Sequence, residues 1–591
     1  MKHHQMQLAA LLVKQGNLCE ASKIYLDLIN SEQVVVDAYL NLAAIYGMTN
    51  KLSLALDLLE KLIIIDPGMP EAHNNLGNIY LIKGDTEKAK ICFLQAISIK
   101  DDYPHAHYNI GRSLQIEGSL VDAIKYYRKS CQLDPSYGEA FLNLGIVLRE
   151  NGDPREALLV LHAASALLSN NPEYFYQIGR TYWDLNKSSD AIESFKLAVK
   201  LDPSFSKGYN NLGIILSETN QFIEALTNYN HALAIDPMYS LAWNNKANLL
   251  KDLGEYSASI QCYQKAIEIN PNYDEARKNL GILYLLLGDF KQGLPLYEYR
   301  YDFESDSDQF FSQISGIRWY GQPISNNKKL IVVAEQGLGD IIQFYRYVIA
   351  LKRMGWNVLF CADDRIQILF KQSGIPFISN SDLLLLDDFF WCPLASLPLH
   401  LTISPLGRAT HDPYLRINTN DVISWRGSIS KKSEEIIIGI NWSSNIEGQQ
   451  DRSRSIHLYQ YESLNFPENS SLLSLQTGYA TKQLEDCDFI DRFIDIPEIS
   501  SETYSDLHIY AAIISCCDLV VTSATTVAHF AGALGVPVWV LVSSRPDWRW
   551  GISGDTSFWY PSMRLFRKGN NEAWNVVIKR LSNQLYDFCR Q

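Results

Sequence analysis

The sequence contains no CxxC pair, no histidine set among paired carboxylates and no long basic run, and each absence removes a class of function. Its ten cysteines (Cys19, Cys92, Cys131, Cys262, Cys361, Cys392, Cys487, Cys516, Cys517 and Cys589) are scattered through 591 residues. Neither a disulfide framework nor a metal spacing is spelled out, and the thiols read as buried groups in a reducing cytosol. Of twelve histidines, His3–His4 and His105/His107 are close in sequence, and none sits in a metal pattern, so the expected metal complement is none. A formal net charge of -14 disfavours nucleic acid as a partner, because phosphate binding needs clustered Lys and Arg. Long hydrophobic runs are missing too. The start MKHHQMQLAALLVKQGN has a six-residue apolar stretch before Lys14, short of a signal peptide, and nothing later approaches a membrane span. The expected location is the cytoplasm. GxSxG, Walker and kinase motifs are also lacking.

What is present, first, is repetition. Pro67, Pro135, Pro203, Pro237 and Pro271 are spaced by 34 or its multiples, as are Gly77, Gly111, Gly145, Gly179, Gly213 and Gly281. A second small register (Ala21, Ala55, Ala89, Ala123, Ala157, Ala191, Ala225) marks the other helix of each pair, and Phe93, Tyr127, Phe195, Tyr229 and Tyr263 fill the space between. Gly16, Asn50, Gly84, Gly118, Gly152, Asn186, Asn220, Gly254 and Gly288 fall between the helices, where a left-handed residue closes a helix. These positions in phase resemble the tetratricopeptide repeat, which implies stacked helix pairs over residues 1–302 in a superhelix. Asn41, Asn75, Asn109, Asn143, Asn211, Asn245 and Asn279 share one repeat position, with Gln177 in the remaining unit. A ladder of carboxamides offers donors and acceptors to the backbone of an extended peptide, as the arm of O-linked N-acetylglucosamine transferases does, so these residues are candidate client contacts. Asparagine is also common at this position in such repeats generally.

After a polar connector at 303–328, apolar strands alternate with helical stretches: LIVVAE, WNVLFCA, IPFIS and DFFWCPL, then IIIGINW, SLLSLQ, DFIDRFIDI, DLVVTS and VPVWVLV. Alternation of this kind argues for parallel sheets covered by helices. Two Rossmann-like halves are expected, 329–430 and 431–591, with a cleft between them. The stretch Leu330–Tyr345, LIVVAEQGLGDIIQFY, stops a strand at a glycine turn and opens a helix. Gly337 and Gly339 would let the backbone approach a ligand, with Asp340 at the helix entrance. A dinucleotide fingerprint would need a third glycine where Ile342 stands, so an NAD enzyme is a weak reading.

The pieces AEQGLGDIIQFYRY, CPLASLPL, DRSRS, SLQTG, TTVAHFAGALGVPVW, PDWRW and WYPSMRLF make residues 329–567 similar to the catalytic region of bacterial repeat-bearing glycosyltransferases, resembling lipopolysaccharide heptosyltransferases and, more distantly, O-linked N-acetylglucosamine transferase. The resemblance implies a GT-B fold with a final helix crossing back to the first half, and a nucleotide-sugar co-substrate with no resident cofactor. It makes Asp340 the counterpart of a proposed general base, which would take the proton of an acceptor hydroxyl. Thr525 and Thr526, opening a helix, would hold the donor diphosphate. His529, one turn on, would reach donor ribose or phosphate, and Arg452 and Arg454 would support the leaving diphosphate. Trp442 and Gln476 end neighbouring strands where a base could be stacked on or bonded. The competing readings are ordinary ones: a helix cap for Asp340 and the threonine pair, packing for His529 and Trp442, solvated charge for the arginines. Family members commonly carry an aspartate where this chain has Ala524. The expected function is transfer of a sugar to a protein Ser/Thr hydroxyl, the client held by the repeat arm, with a second copy of the chain as a further option for that arm. The alternatives are a glycan or lipid-linked acceptor, or a protein-binding scaffold with an inactive transferase-like region.

Overall fold

The computed structural model describes residues 2–31, 36–301, 310–325, 328–401, 412–429, 435–444, 455–494, 505–570 and 572–589. The chain forms two compact units, Met1–Leu249 and Leu250–Gln591. The division falls ahead of the connector at 303–328, since the last repeat helices pack on the α/β region. No helix among the described residues is long and apolar enough to cross a membrane.

The repeat helices come in pairs such as Pro70–Ile82 with Thr86–Ile99 and Pro104–Ile116 with Leu120–Leu133. Several first helices open on proline, whose missing N–H is unpaired in a first turn anyway. Each of the nine residues expected to close a helix has a positive φ, from 55° at Asn50 to 88° at Gly152. The small position works because a ring lies on it: a β-carbon at Gly77 would stand 2.5 Å from Phe93, and one at Gly111 2.9 Å from Tyr127. Phe93 and Tyr127 are fully buried in return, each contributing about 1.5–3 kcal/mol by leaving water.

The second unit holds two five-stranded sheets in which every pair of strands is parallel. The first contains β1 (Ile317–Arg318), β2 (Leu330–Val333), β3 (Val358–Cys361), β4 (Phe377–Ile378) and β5 (Phe390–Pro393) in the order β1-β5-β2-β3-β4. The second contains β6 (Ile436–Asn441), β7 (Ser470–Ser474), β8 (Leu519–Ser523), β9 (Val538–Val542) and β10 (Met563–Arg567) in the order β10-β9-β8-β6-β7. From β2 in the first sheet and from β6 in the second, the chain runs outward and then returns to the other side of that strand. The strand order therefore reverses between β2 and β5, and between β6 and β8.

Several elements differ from expectation. Among the described residues of DFIDRFIDI, Ile490–Arg492 form a short helical turn and Phe493 makes a single parallel bridge to Leu472 on the open edge of β7. The connector supplies β1, and MRLFR supplies β10. The stretch expected to be irregular near 412–433 contains the helix Thr419–Ile429. The final helix, Trp574–Phe588, packs on its own sheet rather than crossing back: Val577, Ile578, Leu581 and Leu585 share a core with Ile438 and Ile440.

Candidate functional site

Ligands of parallel sheets bind beyond the carboxyl ends of the strands where the order reverses. The QGLGD turn follows β2 and the SATT turn follows β8, so both lie at such points. They also meet. A β-carbon built on Gly339 would stand 3.1 Å from His529 Cδ2 and 3.5 Å from Thr526 Oγ1. A side chain at 339 would crowd the His529 ring, which would have to give way. The left-handed residue of the first turn is Gln336 (φ 63°), whereas Gly337 is extended at φ -80°, ψ 162°. The close approach of backbone thus depends on Gly339, and the turn itself on Gln336.

Asp340 sits in the first turn of the Leu338–Arg353 helix, with a side chain 22 % exposed. Its Oδ2 accepts the Gly337 N–H at 3.2 Å and its Oδ1 pairs with Arg549. Arg549 also pairs with Asp547 at 2.9 Å. Burial works against the Arg549 charge, but Asp547 and Asp340 together raise its pKa above the ordinary guanidinium value. Arg549 is the functional candidate that sequence reasoning missed. Its motif, PDWRW, was visible, but its partner lies 209 positions away.

On the second sheet Asn441, at the end of β6, organises the threonine turn. Its Oδ1 accepts from Thr525 Oγ1 at 2.9 Å and Thr522 Oγ1 at 3.2 Å, and its Nδ2 donates to Gln476 Oε1 at 3.1 Å. The Thr525 hydroxyl is therefore committed inward, and what the Thr526–Leu534 helix offers a ligand is its first-turn N–H groups. Gln476 does not face a nucleotide base. Its Oε1 takes Asn441 Nδ2, Trp442 N and Ser443 N, and its Nε2 donates to the Ser443 and Thr477 carbonyls, which exhausts the carboxamide. Trp442 is likewise removed from the cleft: it is fully buried among Ile438, Ile440, Ile456 and Leu458. His529 is buried, with Nδ1 3.0 Å from Tyr560 OH and its ring stacked on Trp550 at 5.2 Å. Arg452 and Arg454 lie outside the described residues.

The reversal point of the first sheet is filled by the chain itself. Glu335, just after β2, takes Arg300 Nη2 at 2.7 Å, Arg300 Nε at 3.0 Å and Ala395 N at 2.8 Å, while Ser396 Oγ bonds Glu298 at 2.8 Å. The side chains of Arg300 and Glu335 are 4 % and 6 % exposed. Open space lies on the other side of β2: a cavity of about 410 Å³ bounded by Gln336, Leu338, Asp363, Arg365, Asn380 and, from the second half, Leu507. Asp363 caps its helix there, accepting from Ile366 N at 3.1 Å.

In the repeat region the asparagines bond to one another's neighbours. Asn109 Nδ2 donates to Asn74 Oδ1 (2.8 Å), Asn143 to Tyr108 OH (2.8 Å), Asn211 to Tyr176 OH (3.0 Å) and Asn245 to Asn210 Oδ1 (3.0 Å), each across 35 positions. Gln177 turns instead to Glu173 in its own helix at 2.6 Å. Asn41 and Asn75 have Met6 and Leu40 at the corresponding place, and neither carries a side-chain oxygen. Where these bonds form, the ladder ties repeat to repeat through one amide hydrogen of each asparagine and leaves the second for another acceptor.

Models of the tetratricopeptide repeat match residues 70–103, 104–137, 172–205 and 206–238, residues 240–273, and residues 262–294. The amino-terminal half is built of tetratricopeptide repeats. Protein FlbA of Caulobacter vibrioides is 24% identical over 315 residues, 48% of this chain and 50% of that protein, so the chain spans about half the length of the curated relative it matches. Among solved structures, the APC/C hetero-tetramer Cut9-Hcn1 is similar at 19% identity and a TM-score of 0.39, over 47% of this chain and 55% of that one. PilF of Pseudomonas aeruginosa is similar at 21% and 0.33, over 36% and 96%. YrrB, a repeat protein described with an unusual peptide-binding site, is similar at 22% and 0.28, over 31% and 95%. Tetratricopeptide repeats are protein-binding scaffolds, and the partners they imply are proteins.

Proposed function

We propose that the α/β region is an inverting, metal-independent glycosyltransferase of GT-B type that moves a sugar from a nucleotide donor to a protein Ser/Thr hydroxyl, with the repeats holding the client in the cytoplasm. The observation that carries this reading is the meeting of two reversal-point turns at Gly339, Thr526 and His529. One turn brings a carboxylate and the other brings helix N–H donors, which is the pair of groups such a transfer needs. The acceptor hydroxyl gives its proton to Asp340 while its oxygen attacks the anomeric carbon from the face opposite the diphosphate. The bond from that carbon to the phosphate oxygen breaks, and its electron pair leaves with the nucleoside diphosphate. The N–H groups at Thr526 and the cations Arg452 and Arg454 balance the charge that develops.

Melting curves with UDP, GDP and ADP sugars test the donor site, since a ligand at a hundred times its dissociation constant stabilises by about 2.7 kcal/mol. Asp340→Asn is expected to abolish transfer while the donor-induced shift stays at least as large as in the wild type. Turnover near the wild-type rate in that variant would remove Asp340 from its role.

A second reading, a repeat scaffold whose α/β region has lost turnover, is favoured by Ala524, which puts a methyl group where the enzymes this region resembles commonly carry an aspartate. Under it, the repeats bind partners and no nucleotide sugar is consumed.

A further inference from the structure

The turn Trp548–Trp550 touches three separate elements of the second unit. Trp548 stands edge-on to Tyr297 at 5.9 Å and over Phe344 at 6.3 Å. Trp550 stacks on His529, one turn into the threonine-headed helix, at 5.2 Å. Between them Arg549, its side chain 11 % exposed, pairs with both Asp340 and Asp547. Asp547 also caps the turn, its Oδ1 accepting the Arg549 N–H at 3.0 Å. The backbone at Arg549 is therefore fixed, while its guanidinium is divided between two carboxylates.

We propose that Arg549 is shared between Asp340 and the diphosphate of a nucleotide donor, so that binding the donor frees Asp340 to accept a proton. The proposal rests on the glycosyltransferase reading. Three observations lead to it. The Asp340 oxygen that pairs with Arg549 has one of its lone pairs occupied, and release of that contact opens the whole carboxylate to an acceptor hydroxyl. The site for an anion is close: Gly339, bonded to Asp340, touches Thr526, and Trp550, bonded to Arg549, stacks on His529. A diphosphate carries more charge than a carboxylate and takes a guanidinium fork with two oxygens, whereas Asp340 holds Arg549 through Nη2 alone, so the diphosphate competes with Asp340 on favourable terms. Arg549 is then a residue that reports donor occupancy to the base, and the base is armed only when a sugar is in place to be transferred.

The test is nucleoside diphosphate affinity, measured by calorimetry with UDP, GDP and ADP on the full chain. Asp340→Asn removes the competitor for Arg549 and is expected to tighten the diphosphate that the wild type binds by roughly tenfold, while Arg549→Gln weakens it by roughly tenfold. Arg549→Lys falls between, and the double variant matches Arg549→Gln, because freeing an arginine that is no longer present changes nothing. Should Asp340→Asn fail to fold, Asp340→Ser carries the same expectation. Unchanged or weaker binding by the Asp340 variants would overturn the sharing of Arg549 and leave the transferase reading standing. Failure of the wild type to bind any of the three diphosphates would overturn both.

Discussion

Gln336 holds φ at 63°, a left-handed conformation that costs a side-chain-bearing residue about 1–2 kcal/mol. Its Oε1 accepts the Tyr297 hydroxyl at 3.1 Å, a bond with a net value of about 1 kcal/mol. The two effects nearly cancel, which sets up a paired prediction. Gln336→Gly relieves the strain and loses the bond, so stability is expected to stay within about 0.5 kcal/mol of wild type. Gln336→Ala loses the bond and keeps the strain, and is expected to be about 1 kcal/mol less stable. Chemical denaturation followed through the second unit's transition measures the difference; equal losses would show that the tyrosine contact alone matters. From the sequence, Gly337 and Gly339 are the residues of this turn expected to let the backbone approach a ligand. Two glycines follow Gln336, and nothing in composition says which residue of a turn takes the positive φ. The inward direction of Trp442 and Gln476 is hidden in the sequence for a related reason. β6 and its neighbours are buried on both faces, so their side chains show no polar alternation from which to read the direction of a strand end.

At the scale of elements, the 34-residue phase made the helix pairs, the helix-closing residues and the glycine beneath each ring legible. It hid the ladder. A bond from one repeat position to the residue one place earlier in the preceding repeat spans 35 positions, and the acceptor changes identity between Asn and Tyr. The pattern emerges only when neighbouring helices are brought side by side. Asn143→Ala removes a half-buried inter-repeat bond and is expected to destabilise the repeats by about 1 kcal/mol. Asn75→Ala, opposite Leu40, is expected to change stability by less than about 0.5 kcal/mol. Thermal and urea denaturation of the two variants distinguish these cases, and equal effects would mean that the ladder bonds contribute nothing net. The strand alternation of the second unit was legible as well, since apolar runs of four to six residues between helical stretches leave few other options. β1, two residues long, and β10, embedded in a motif read for its chemistry, were not.

For the whole molecule, composition and periodicity point to a cut at the connector after residue 302, whereas packing points earlier. Arg300 is held between Glu298 and Glu335 with almost no exposure to solvent. Phe290 stacks on Phe558 at 5.2 Å, and Tyr297 lies against Trp548. A fragment beginning at residue 303 would lack all of these partners. Glu335 would keep the Ala395 N–H but lose its cation, and breaking a buried pair on one side costs about 3–5 kcal/mol, a large fraction of the stability of a typical domain. The aromatic faces of Trp548 and Phe558 would be uncovered at the same time. Residues 250–591 are therefore expected to give a soluble fragment with a cooperative thermal transition, and residues 303–591 to aggregate or melt without cooperativity. Circular dichroism of the two fragments decides the matter, and Arg300→Met in the full chain isolates the electrostatic part. If the shorter fragment melts as high as the longer one, the last repeat pair is only a neighbour of the α/β region. If it does not, that pair is a structural member of the region whose proposed site it borders, and any event that shifts the Phe290–Tyr297 helix reaches Arg549 through Trp548.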